Sequence, residues 1–181
     1  PFRAQLEEKW GAQLFALAEN QMKGFSPAII ELMQQENKLT SEYSKLVASA
    51  QIEFDGKTLT LAQLGPYAES TDRAVRKAAR EVSANFFAEN KEKFDAIYDQ
   101  LVKLRHTIAT TLGFKNYVEL GYVNMNRVDY NAEMVAKFRE QVREFIVPVA
   151  SKLYARQAER IGVDAFKFYD ENRVILGKTM K

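Results

Sequence analysis

The chain has no cysteine and a single histidine, His106, among 181 residues. The first absence excludes thiol catalysis and a disulfide framework. The two together exclude a complete zinc site of the usual nitrogen and sulfur kind, because one imidazole cannot supply the ligand set. Any serine triad would have only His106 to serve it, and neither G-x-G-x-x-G nor G-x-x-x-x-G-K-[ST] occurs. No apolar run approaches the roughly 18 residues of a membrane span, so a membrane is not an expected partner. Basic and acidic residues, 26 against 24, are interleaved along the chain and leave a net charge of +2. Without a clustered basic stripe, nucleic acid is not expected either. The start at Pro1-Phe2-Arg3 has neither a signal peptide's apolar stretch nor an initiator methionine, and it reads as an internal cut. The lack of thiols suits a cytoplasmic address.

What is present is an ordinary globular composition, 46% hydrophobic and 28% charged. It fits one domain, or one large piece of a longer protein, that would bury roughly 70% of its unfolded surface. The apolar spacing is helical almost throughout. Leu6, Trp10, Leu14 and Leu17 predict one first helix with its tryptophan on the buried stripe, ending near Gly24. Ser26-Pro27 reads as an N-cap followed by proline at the first helical position. The helix it opens runs through Ile29, Ile30, Met33, Tyr43, Leu46 and Val47, with a break expected near Thr40. Alternation over residues 51–60 around Asp55-Gly56 predicts a β-hairpin, which must pack on helices to be stable.

Gly65-Pro66 marks a turn, and Ser70-Thr71-Asp72 offers caps for a helix that Asn90 could split. Periodicity resumes from Phe94 to Ile108 and stops at Gly113. A short helix around Tyr117 to Leu120 and an irregular stretch follow. Asp129 or Asn131 then opens a last long helix ending near Gly162, in which Pro148 predicts a kink. The expected fold is therefore mainly α, a multi-helix lobe with one small β-hairpin near residues 51–60.

Motifs with chemistry are few. The helical neighbours of His106 include no carboxylate and no second imidazole, so it reads as a packed or surface histidine. Glu7-Glu8, Asp95/Asp99 and Glu140/Glu144 read as solvated faces, with Asp99 and Lys103 as i,i+4 partners. The segment from Leu120 to Tyr130 differs, because it gathers two tyrosines, two asparagines and Arg127 in a loop between helices. Tyr122, Arg127 and Tyr130 are its candidates for facing a substrate. The alternative is that Arg127 and Asp129 merely tie the loop to the next helix.

Those residues also carry a resemblance. Gly121 to Tyr130, continued by Asn131-Ala132-Glu133-Met134-Val135-Ala136 and by Ile146-Val147-Pro148, resembles oligoendopeptidase F of the thimet-oligopeptidase-like zinc metallopeptidases. Phe25-Ser26-Pro27, Ile52-Glu53-Phe54-Asp55-Gly56, Asp72-Arg73-Ala74-Val75-Arg76 and Leu112-Gly113-Phe114-Lys115-Asn116-Tyr117 match the same family in the same order. The resemblance extends to about Asp170-Glu171. It implies that residues 1–171 are a segment of the helical wall around a peptide channel, and that residues 172–181 are a divergent tail. It implies zinc in the parent enzyme, held by H-E-x-x-H and a further glutamate. No position here matches that motif, so no catalytic or metal residue carries over, and this chain alone is expected to bind no zinc and to be inactive. The implied partner of the parent is an oligopeptide substrate. Self-association through exposed apolar helix faces is expected of the segment alone. A non-catalytic helical binding or scaffold module is the alternative.

Overall fold

A computed structural model describes residues 2–171. The tail at 172–181, expected to be divergent, lies outside the described residues. In chain order the helices are α1 (Arg3–Trp10), α2 (Gln13–Lys23), α3 (Ile30–Ala48), the short α4 (Gly65–Ala68), α5 (Arg73–Glu89), α6 (Lys91–Thr111), α7 (Tyr117–Asn124), α8 (Ala132–Gln141) and α9 (Val147–Ile161). Strands β1 (Ile52–Phe54) and β2 (Lys57–Leu59) form the expected hairpin. The mainly α class holds. The chain divides into two compact units: residues up to Ser41 with Ile97–Arg139, and Glu42–Ala96 with residues from Glu140 onward.

In the first unit the core is Ile29, Ile108, Ala109 and Leu120, wrapped by Leu32, Leu104, Leu112, Phe114, Tyr117 and Val123. Ser26 accepts from the Ala28 amide and starts a 3-10 turn, Pro27–Ile29, that leads into α3. Arg105 donates to Glu36 at 2.7 Å, joining α6 to α3. The expected single first helix does not form. Gly11 adopts φ +82°, outside the helical range, and separates α1 from α2. Trp10 is consequently 68% exposed rather than buried, and Lys9 lies over its ring. Nor does α3 break at Thr40, whose hydroxyl donates back to the Glu36 and Asn37 carbonyls and is satisfied within the helix.

The second unit is organised around the hairpin. Asp55 and Gly56 both take positive φ, 53° and 69°, as a two-residue hairpin turn of the I′ kind requires. The register pairs Ile52 with Leu59, and both point into a core with Ala50 and Leu64. Gly65 and Pro66 open α4 instead of a simple turn, since proline loses nothing where its amide would go unbonded. Asp72 caps α5 by accepting from the Ala74 amide at 2.8 Å, and Asn90 separates α5 from α6. Pro148 has its predicted effect one turn upstream. The Val147 amide reaches the Val142 carbonyl, so a π turn over Val142–Ile146 relieves the crowding that a proline imposes on the preceding turn. No residue of α9 is buried, and Ile146, Val149 and Leu153, spaced as one helical face, are each more than half exposed.

What fastens the segment after α9 is charge. Asp170 is fully buried and accepts from Arg73 Nη2 at 2.8 Å, Arg73 Nε at 3.1 Å, Arg76 Nη2 at 2.9 Å and the Lys167 amide at 3.0 Å. Arg76, itself 2% exposed, also donates to the carbonyls of Ser70, Thr71 and Tyr169. Hydrogen bonding from Arg73 first, and then from Arg76 and the Lys167 amide, outweighs burial. Together these hold the Asp170 carboxyl down from 3.8 to about 2.

Because the folded value lies below the unfolded one, this stabilisation is complete above about pH 4 and lost as pH falls towards 2, amounting to about 2 kcal/mol. Asp170→Asn should lower stability by about 3–5 kcal/mol at neutral pH, because it leaves the Arg76 charge buried without its counter-ion. Thermal unfolding of both proteins from pH 7 to pH 2 checks this. The variant should lack the acid-dependent loss between pH 4 and pH 2 that the parent shows.

Candidate functional site

The loop between α7 and α8 is built by caps at both ends. Asn116 starts α7 by accepting from the Val118 and Glu119 amides, and Asn131 starts α8 by accepting from the Met134 amide at 3.0 Å. Between them Asn126 takes φ +52°, and the Arg127 amide returns to the Tyr122 carbonyl at 3.0 Å. Asn20 of α2, 7% exposed, donates through Nδ2 to the Val123 carbonyl at 2.8 Å and to Asn126 Oδ1 at 3.4 Å. Gly24 lies so close to α7 that an added Cβ would come within 3.3 Å of Val123 Cγ1. The loop is thus tied to α2 at its first residues.

This frame brings all three predicted candidates together. The Tyr122 and Tyr130 rings meet edge to face, 6.5 Å between centroids. Arg127 Cζ lies over both, 4.9 Å from the Tyr122 centroid and 5.5 Å from that of Tyr130. The start of α8 is capped by Asn131, and the Arg127 contact with Tyr130 lies just before it. Beside the guanidinium opens a cavity of about 460 Å³ lined by Arg127, Tyr130, Met134, Val135 and Phe138. Its walls offer one cation and an apolar surface but no carboxylate, imidazole or thiol. A lining of this composition suits binding of an anionic or apolar group and supplies no side chain of the usual nucleophilic or metal-ligating kinds.

The sequence reading missed Asn20, which looked like part of a helix end. Met134, Val135 and Phe138 fall within the last helix expected from the sequence, where nothing marked a cavity. A polar asparagine one turn from a helix terminus was the only available signal. His106 is exposed on α6 and does not approach this site's lining. The carboxylates read as solvated faces sit at the surface, with Asp99 paired to Lys103 and Glu140 to Arg143. Among the described residues no group of three or more His, Cys, Asp or Glu side chains could hold a metal ion. Among the same residues no helix is long and apolar enough to cross a membrane.

Comparison with known proteins gives a consistent result. The sequence profile of peptidase family M3 matches residues 66–175, which include Tyr122, Arg127 and Tyr130. A solved structure of PZ peptidase A with an inhibitor is 64% identical over 96% of this chain, with a TM-score of 0.89. A structure described as oligoendopeptidase F is 54% identical over 96%, also at 0.89. Another, described as oligoendopeptidase F from Bacillus anthracis strain Ames, is 54% identical over 96% at 0.86. This chain spans 31%, 31% and 32% of those chains respectively. No match was found among proteins of curated function.

If Asn20 holds the loop, Asn20→Ala should remove about 0.5–1.5 kcal/mol of stability, the net worth of a hydrogen bond whose acceptor, the Val123 carbonyl, keeps the Asn126 amide as a second donor. Amide hydrogen exchange should accelerate at Asn126 and Arg127 while remaining unchanged along α5. Uniform acceleration throughout the chain would mean that Asn20 supports folding generally and not this loop.

Proposed function

The chain belongs to peptidase family M3, and from that premise we propose that it forms part of the helical wall around the substrate channel of a zinc metalloendopeptidase that hydrolyses oligopeptides. The observation that supports this is a match sustained over 96% of the chain to a peptidase structure of which it spans only 31%. The family is generally zinc-dependent. The residues described here do not fit that metal, since no cluster of suitable donors exists among them. Zinc and the groups that act with it belong, in this reading, to the rest of a longer enzyme. The contribution of this chain is binding surface: Tyr122, Arg127 and Tyr130 face the oligopeptide.

Uncovered apolar surface supports the same reading. Phe145, Ile146, Val149 and Leu153 are each more than half exposed, although their spacing makes one side of a helix that in a complete fold would pack on something. That face is where further parts of the enzyme would lie.

Two outcomes are expected. The 181-residue chain should bind no stoichiometric zinc and cleave no quenched-fluorescent oligopeptide. The same sequence extended to the length of its relatives should do both, with Arg127→Ala reducing kcat/KM by about tenfold or more and leaving Tm within a few degrees. Tyr122→Phe and Tyr130→Phe should likewise reduce turnover more than stability. Chelator-sensitive turnover by the short chain would sink the assignment. The short chain should also self-associate as its concentration rises, and the pair Val149→Glu with Leu153→Lys should return it to a monomer in sedimentation velocity.

A further inference from the structure

The guanidinium of Arg127 is an unused cation. Arg73, Arg76 and Arg105 each meet a carboxylate, whereas Arg127 has ring contacts and no ion pair among the described residues. The two ring contacts leave the N–H groups of the guanidinium without a carboxylate acceptor among the described residues, and paired N–H groups are what matches the two oxygens of a carboxylate. Contact with the two tyrosines also restricts the side chain beforehand, so less freedom is lost when an acceptor arrives.

The apolar half of the cavity narrows the choice of ligand. Met134 and Phe138 stand one turn apart on α8 with Val135 beside them, and they share the cavity with Arg127. At about 460 Å³ it lies within the range of roughly 300–1,000 Å³ typical of small-ligand sites. A ligand satisfying both halves carries a carboxylate and an apolar group close together. The last residue of a peptide does so, because its terminal carboxylate and its side chain share one Cα. An aspartate or glutamate side chain carries its carboxylate on a different residue from any apolar side chain, so the two groups are not fixed to one Cα.

We propose that Arg127, held by Tyr122 and Tyr130, and the wall of Met134, Val135 and Phe138 form a subsite for the free C-terminal carboxylate of a peptide ending in an apolar residue. That the ligand is a peptide rests on the function proposed above. The demands for a carboxylate and an apolar group rest on the cavity alone.

The test is direct binding to the 181-residue chain, followed by NMR of methyl-labelled methionine and the Arg127 side-chain N–H. The probes are N-acetyl-Ala-Ala-Leu, its C-terminal amide, and the amide of N-acetyl-Ala-Asp-Leu. The acid should shift Met134 and Arg127 saturably and bind at least about tenfold more tightly than either amide. Arg127→Met should reduce the acid to the level of its amide, and Arg127→Lys should recover only part of the difference, since an ammonium lacks the planar fork. Unchanged methyl signals of the buried Ile108, seen by isoleucine labelling, report that each variant is folded. Equal binding of acid and amide, or no saturable shift in the parent protein, overturns the proposal. Equal binding of the aspartyl peptide overturns the assignment to the terminus. Because the assay needs neither zinc nor turnover, its failure leaves the channel-wall reading standing, and carboxylate binding without cleavage by the extended chain would overturn only that reading.

Discussion

The buried carboxylate of Asp170 is the constraint on which the second unit depends. Taking a carboxylate and a guanidinium out of water is unfavourable, by several kcal/mol per ion, unless the charges meet with good geometry and the leftover donors find acceptors. Here both conditions are satisfied. Asp170 receives two arginines and a backbone amide, and Arg76 donates three further N–H groups to carbonyls. The arrangement matters because α9 contributes no buried side chain, so apolar burial does little to hold the chain that follows it. Residues 165–170 are fastened to α5 through charge and hydrogen bonds, which act only when the geometry is right.

The contrast between that saturated clasp and the open surface elsewhere is informative. Phe145, Ile146, Val149 and Leu153 form a regular amphipathic pattern whose apolar side meets water. A pattern of this kind is stabilising only when something covers it. The chain spans about a third of the length of the peptidase structures it matches. The described residues supply helices, a pinned loop and a cation, and no group of three or more His, Cys, Asp or Glu side chains placed to hold a metal ion is found among them.

The loop site shows how rigidity can be built around a recognition group. Asn131 closes one end, Asn20 clamps the other, and both tyrosine rings pack against Arg127. Each contact limits motion without neutralising the charge. An acidic partner would have made the arginine more stable and less available. Arg127 thus keeps a charge that no carboxylate among the described residues meets, whereas the charges of the Asp170 cluster are paired with one another.

Where the hydrogen bonds are local, the sequence alone determined the outcome. Ser26, Asp72, Asn116 and Asn131 cap helices through amides two or three residues away, and Asp55-Gly56 sets the hairpin by its own backbone preference. Pro148 disturbs its helix for the same local reason. Tyr122, Arg127 and Tyr130 were legible as a polar aromatic group because they lie within nine residues of one another. Tertiary structure decided what depends on distant partners. Asn20 meets Val123 across 103 residues and Arg76 meets Asp170 across 94, separations over which no periodicity carries information. Trp10 shows the limit most plainly: its spacing fits a buried stripe, but a stripe is buried only if another surface lies against it, and spacing cannot supply that surface.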